Sequence, residues 1–190
     1  MIELYLFVNP LGKRCLNNER LLQQITTNHP NKITNRIIPF ITPQMIDNAL
    51  LANQQPLTTA NRQQINCLFN EIIRDYHAIC IQGQRHALQY LCALQEQLIT
   101  LQQPYNLQLA LQTIAKLPIN RQQFLDDRCS PAINYAIQSD LQLCYEFKIN
   151  NPSTAVIIGE DWQQPALVIP NFHAQALPTY LAQLTAVADG

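Results

Sequence analysis

Strand-forming residues sit only at the two ends of this 190-residue chain, and helical periodicity fills roughly a hundred residues between them. That order confines the chain to an α/β architecture whose sheet is assembled from its ends. The apolar run Ile2 to Val8 suits a strand buried on both faces, the first of a parallel core. Leu21, Leu22 and Ile25, with Leu16 or Cys15 behind them, make the stripe of an amphipathic helix that starts near Asn18 and is ended by His29-Pro30. Lys32 to Ile41 is the next strand, with Pro39 near its end. A right-handed βαβ crossover is the default for such an opening.

From Thr42 to about Leu143 the pattern predicts helix almost throughout. Ile65, Leu68, Phe69, Ile72, Ile73, Tyr76, Ile79 and Cys80 recur at i, i+3, i+4 and i+7, with Thr58 or Thr59 as N-cap. A second helix runs from about Gln84 to Thr100, and shorter ones are expected at 107–116, 121–127 and 131–146. Strand character returns at Ala155 to Ile158 and Ala166 to Ile169, with Gly159-Glu160-Asp161 in a hairpin connection. A helix over about His173 to Val187, bent or started late by Pro178, closes the chain. The reading divides the chain into a core of residues 1-48 and 147-190 and an inserted helical subdomain, 49-146, that packs on it as one unit.

Net charge is -1 and only 13% of residues are charged, so no basic surface stands out for nucleic acid or anionic lipid. Polarity comes instead from 24 Gln and 17 Asn. The N-terminus lacks the basic n-region and long apolar core of a signal peptide, and no stretch approaches the roughly 20 apolar residues of a membrane span. Six scattered cysteines, 15, 67, 80, 92, 129 and 144, contain no CxxC pair. These features predict a cytoplasmic chain with reduced thiols and no membrane association.

The segment joining the first strand to the first helix carries the chemistry. In a working CxxC site the first thiol sits at a helix N-terminus, where the positive end of the dipole stabilises the thiolate. Asn9-Pro10-Leu11-Gly12-Lys13-Arg14-Cys15 has the form of such a site, with glycine at the attacking position and only Cys15 left.

Three segments resemble the cytosolic branch of the DsbA-like thioredoxin-fold family: residues 9–15; Ile81-Gln82-Gly83-Gln84-Arg85 followed by Tyr90-Leu91-Cys92-Ala93-Leu94-Gln95-Glu96; and Asn151-Pro152-Ser153-Thr154-Ala155-Val156. Within that branch the likeness is to the adaptor proteins that deliver the transcription factor Spx to the ClpXP protease. The resemblance implies a thioredoxin-like core carrying a large helical insertion, and a cis-proline at Pro152. It also implies a protein-binding surface formed by Leu11, Gly12, Lys13, Arg14, Asn151, Pro152 and Ser153, with an Spx-like factor and ClpXP as partners and no cofactor. Gly12 in place of the nucleophile, and Lys13 in place of the usual proline, argue against inherited dithiol chemistry.

The competing expectation is a monothiol oxidoreductase or isomerase using Cys15, whose pKa Lys13 and Arg14 would lower; an inert, packed Cys15 is the opposing one. A third reading, a dimerisation module, has no residue-level signature. Glutathione-transferase chemistry is disfavoured because Gly12 has no hydroxyl. His77, Cys80 and His86 invite a metal reading, but Cys80 belongs to an apolar stripe and no fourth ligand is suggested, so no metal site is expected. Asp126 and Asp127 point about 100° apart on a helix and do not form a catalytic pair.

Overall fold

A computed structural model describes residues 2–28, 33–159 and 166–181. Its centre is a four-stranded sheet in the order β2-β1-β3-β4, formed by β1 (Ile2–Val8), β2 (Ile33–Pro39), β3 (Thr154–Ile158) and β4 (Leu167–Ile169). β1 pairs parallel with β2, Leu4 opposite Asn35, and antiparallel with β3, Leu6 opposite Ala155; β4 adds antiparallel to β3. The two ends of the chain thus meet in adjacent strands.

β1 is apolar throughout because both of its faces are covered. Leu4, Leu6 and Val8 enter the larger core with Leu16, Leu22, Ile72, Ile79 and Leu91, while Phe7 enters a second core with Ile38, Phe40, Met45, Cys144 and Val156. Burial of these side chains supplies the main driving force, at about 25 cal/mol per Å² of apolar surface.

The helices are α1 (Lys13–Asn28), α2 (Pro43–Ala52), α3 (Thr59–Cys80), α4 (Gln84–Gln95), α5 (Leu107–Ile114), α6 (Arg121–Arg128) and α7 (Pro131–Glu146). Five begin at side-chain caps that accept an otherwise unpaired backbone N–H: Thr42, Thr58, Asn106, Asn120 and Ser130. α4 runs into a π-helical turn, Glu96–Thr100, before Pro104. At the end of α7, Lys148 turns left-handed (φ 53°) and the Ile149 N–H reaches back to the Cys144 carbonyl at 2.8 Å, which directs the chain towards β3.

The helical block is tied together by a buried polar knot. Asp75, fully buried on α3, accepts from the hydroxyls of Tyr90 (2.8 Å) and Tyr105 (2.7 Å) and from Arg128 Nε, and Arg128 also pairs with Glu71. Burial pushes the Asp75 carboxyl above the usual range, and its three donors pull it back.

Several expectations change. α1 begins at Lys13, not near Asn18, because Gly12 supplies the first helical carbonyl, to Leu16 N–H at 3.0 Å. The closing segment is a 3₁₀ turn, Ala174–Ala176, followed by helical backbone over 177–181 with Pro178 in its first turn, where proline needs no N–H partner. The division drawn between residues 48 and 49 falls inside α2. His29-Pro30, Lys32, Glu160-Asp161 and the helix beyond 181 lie outside the described residues. Among the described residues, no helix is long and apolar enough to cross a membrane.

Candidate functional site

The loop from β1 into α1 is shaped by Asn9. Its carbonyl accepts from Gly12 N–H at 2.9 Å and its side-chain oxygen from Leu11 N–H at 2.9 Å, while its own N–H donates to Cys15 Sγ at 3.3 Å. Gly12 is the last residue before α1 and brings no side chain to cap it, and no acidic residue lies in the helix's first turn. Lys13 and Arg14 are exposed; Leu11 and Gly12 are half-buried.

Cys15 is only 2% exposed, with Sγ 3.6 Å from Ser153 Oγ. Burial pushes its thiol pKa up, the Glu19 charge adds to this, and the bonds from Asn9 and Ser153 offset it only in part. The expected lowering by Lys13 and Arg14 is therefore overturned. Arg14 turns away from the sulfur, its Nη2 donating to the Asn171 carbonyl at 2.8 Å and its Nη1 to Asn171 Oδ1 at 3.2 Å.

Pro152 is also corrected. Among the described residues there is no cis peptide bond, so the Asn151–Pro152 link is trans, the form an X-Pro bond prefers by about 0.5–1 kcal/mol. The chain reversal is made one residue later, by Ser153 in a left-handed conformation (φ 57°). Ser153 is held there by its carbonyl, which accepts from Phe172 N–H at 2.6 Å, and by its hydroxyl, which accepts from Asn18 Nδ2 at 3.0 Å. Asn151 is exposed and Pro152 half-buried on the same loop.

Asn18 was not singled out from the sequence, yet it joins three parts of the site. Its amide donates to Ser153 Oγ and to the Phe172 carbonyl (2.6 Å), and its oxygen accepts from Ala174 N–H (3.1 Å). An Asn one helical turn after Cys15, on the buried side of α1, is the signal that marks it. Glu19 was also missed, though a carboxylate at i+4 from Cys15 beside Leu16 and Leu22 is visible in sequence. It is completely buried and receives Gln95 Nε2 at 3.3 Å and the Cys92 thiol at 3.8 Å. Burial raises its pKa to about 7, against the opposing pull of Gln95, Cys92 and Arg20. Asn171 and His173 carry no sequence signal, since only the fold brings them to Arg14.

The remaining candidates lie apart from this site. His77 Nε2 stands 3.3 Å from Asp140 Oδ2 on α7, where Arg36 also pairs, and His86 Nδ1 lies 3.3 Å from the Gln82 carbonyl. Asp126 accepts from Gln122 at 2.9 Å. Among the described residues no group of three His, Cys, Asp or Glu side chains is arranged to hold a metal ion.

The sequence pattern of the thioredoxin family matches residues 5–179. The ClpXP adapter protein SpxH of Staphylococcus aureus strain MRSA252 is 22% identical over 180 residues, covering 95% of this chain and 63% of that protein, so the chain spans less than two thirds of the length of this relative. Among solved structures, one described as a protein disulfide isomerase from Nitrosomonas europaea superposes with a TM-score of 0.68 at 16% identity, covering 96% of this chain and 98% of that one. The thiol-disulfide exchange protein α-DsbA2 of Wolbachia pipientis gives 0.62 at 10% identity, covering 96% and 81%. At these identities the structural likenesses show the fold.

Proposed function

The chain belongs to the thioredoxin family and shares its fold with DsbA-like proteins, and from that premise we propose that it works by binding protein and not by thiol-disulfide exchange. Its role is that of a cytoplasmic adaptor presenting a client, such as an Spx-like transcription factor, to the ClpXP protease. The carrying observation is chemical: the attacking position is Gly12, and the one thiol left, Cys15, is buried with its pKa raised. A nucleophile needs thiolate and access, and the burial of Cys15 opposes both. The distant likeness to an adapter protein supports the same reading.

The binding face in this proposal is Leu11, Gly12, Lys13 and Arg14 with Asn151, Pro152 and Ser153. The monothiol alternative requires Cys15 to reach a substrate sulfur, which 2% exposure opposes. Reconstituted degradation tests the proposal: a purified Spx-type factor is incubated with ClpXP and ATP, with and without this chain. Faster loss of the factor in its presence is expected; unchanged loss at saturating chain sinks the adaptor role.

A further inference from the structure

Beside this face runs an open groove of about 500 Å³ between α1 and the segment after β4. Lys13, Arg14, Asn17, His173 and Gln175 contribute to its lining, and none of the described lining side chains is a carboxylate. Arg14 is held across it by the Asn171 carbonyl and side chain, and its Nη2 lies 3.1 Å from His173 Nε2. Arg20, Arg36, Arg62 and Arg128 each pair with a carboxylate, whereas among the described residues Arg14, like Arg74, is bonded to carbonyl and amide oxygens and has no such pair. The two bonds to Asn171 use two of the five guanidinium N–H groups, leaving others to donate.

We propose that this groove receives an acidic segment of a protein partner, its carboxylates bound by Arg14 and Lys13. The proposal rests on the protein-binding reading above and specifies the chemistry of what is bound. Charge complementarity selects the occupant: a cation held in place without a carboxylate partner among the described residues, beside a second cation and amide donors, matches carboxylates and penalises a basic segment. Asn171 supplies the rigidity, since its left-handed backbone (φ 55°) presents both of its oxygens to Arg14.

The test uses fluorescein-labelled Glu-rich peptide, its Gln counterpart and an oligothymidylate of equal charge, titrated with the full chain and read by anisotropy. The Glu peptide is expected to bind in a salt-sensitive manner and the Gln peptide not to. Arg14→Gln should weaken binding about tenfold or more, Lys13→Gln less, and Arg121→Gln on α6 not at all, with thermal melts confirming that each variant folds. Equal binding of the Glu and Gln peptides, wild-type binding by Arg14→Gln, or equally tight oligothymidylate would overturn the proposal. The degradation assay separates the two claims. Client delivery without Glu-peptide binding sinks only the groove, and Glu-peptide binding without delivery sinks only the adaptor role.

Discussion

Gly12 and Cys15 face each other across the first turn of α1 at disulfide spacing: a Cβ placed on Gly12 would stand 3.1 Å from the Cys15 sulfur. An S–S bond of about 2.05 Å with ordinary bond angles holds a Cβ about 3 Å from the opposing sulfur. That distance is compatible with a disulfide between positions 12 and 15.

Gly12→Cys should accordingly close a disulfide to Cys15 under oxidised glutathione. The new Cβ would meet Asn9 at 3.2 Å, so that loop must give by a few tenths of an ångström. Peptide mapping without reductant is the check. A variant that leaves residues 12 and 15 as free thiols under conditions that oxidise a control dithiol would show that the retained geometry is not competent.

Native alkylation tests the buried thiol. At neutral pH, Cys15 should react with iodoacetamide at least about a hundredfold more slowly than Cys67 or Cys129, both exposed, because access requires local opening and its thiolate is disfavoured. Labelling of Cys15 as fast as Cys67 would revive the monothiol enzyme.

Glu19 ties stability to pH. Its folded pKa of about 7 lies above the ordinary 4.5, so the folded state holds this proton more tightly than the unfolded chain. The associated stability is fully present below about pH 4.5 and is lost as pH rises through 7, a decline of about 3 kcal/mol. Glu19→Gln, which mimics the neutral carboxyl, should flatten that decline and be the more stable form at pH 8. Urea unfolding across this range decides it, and parallel profiles for the two proteins would refute the assignment.

Asn18→Ala should cost about 2–3 kcal/mol, since it strands the buried Phe172 carbonyl and Ala174 N–H together. Hydrogen exchange should show the Ala174 amide losing protection, while Leu91 in the core of α4 keeps its own. Unchanged exchange at Ala174 would mean that Asn18 does not hold the segment on which Asn171 and His173 stand.

Local chemistry made much of the architecture readable. The both-faces-buried strand at Ile2 to Val8, the α3 stripe and its Thr58 cap, and the order of elements depend on residues within a few turns of one another. The Gly12-to-Cys15 spacing is equally local, since the two are three residues apart. The start of α1 was misplaced because the apolar stripe is sparse before Leu21, whereas the helix is entered through backbone bonds of Gly12 that any residue there would supply.

The chain's own sequence therefore determined a thioredoxin-like scaffold with Gly12 and Cys15 at the start of its first helix. Tertiary structure decided what surrounds these two residues: Cys15 sealed beneath Ser153, Ser153 turning the chain while Pro152 stays trans, Asn18 bridging to Phe172 and Ala174, and Arg14 pinned on Asn171. These contacts join residues that lie more than a hundred positions apart. Desolvation, pKa and unmatched charge depend on that three-dimensional neighbourhood, which no spacing along the chain encodes.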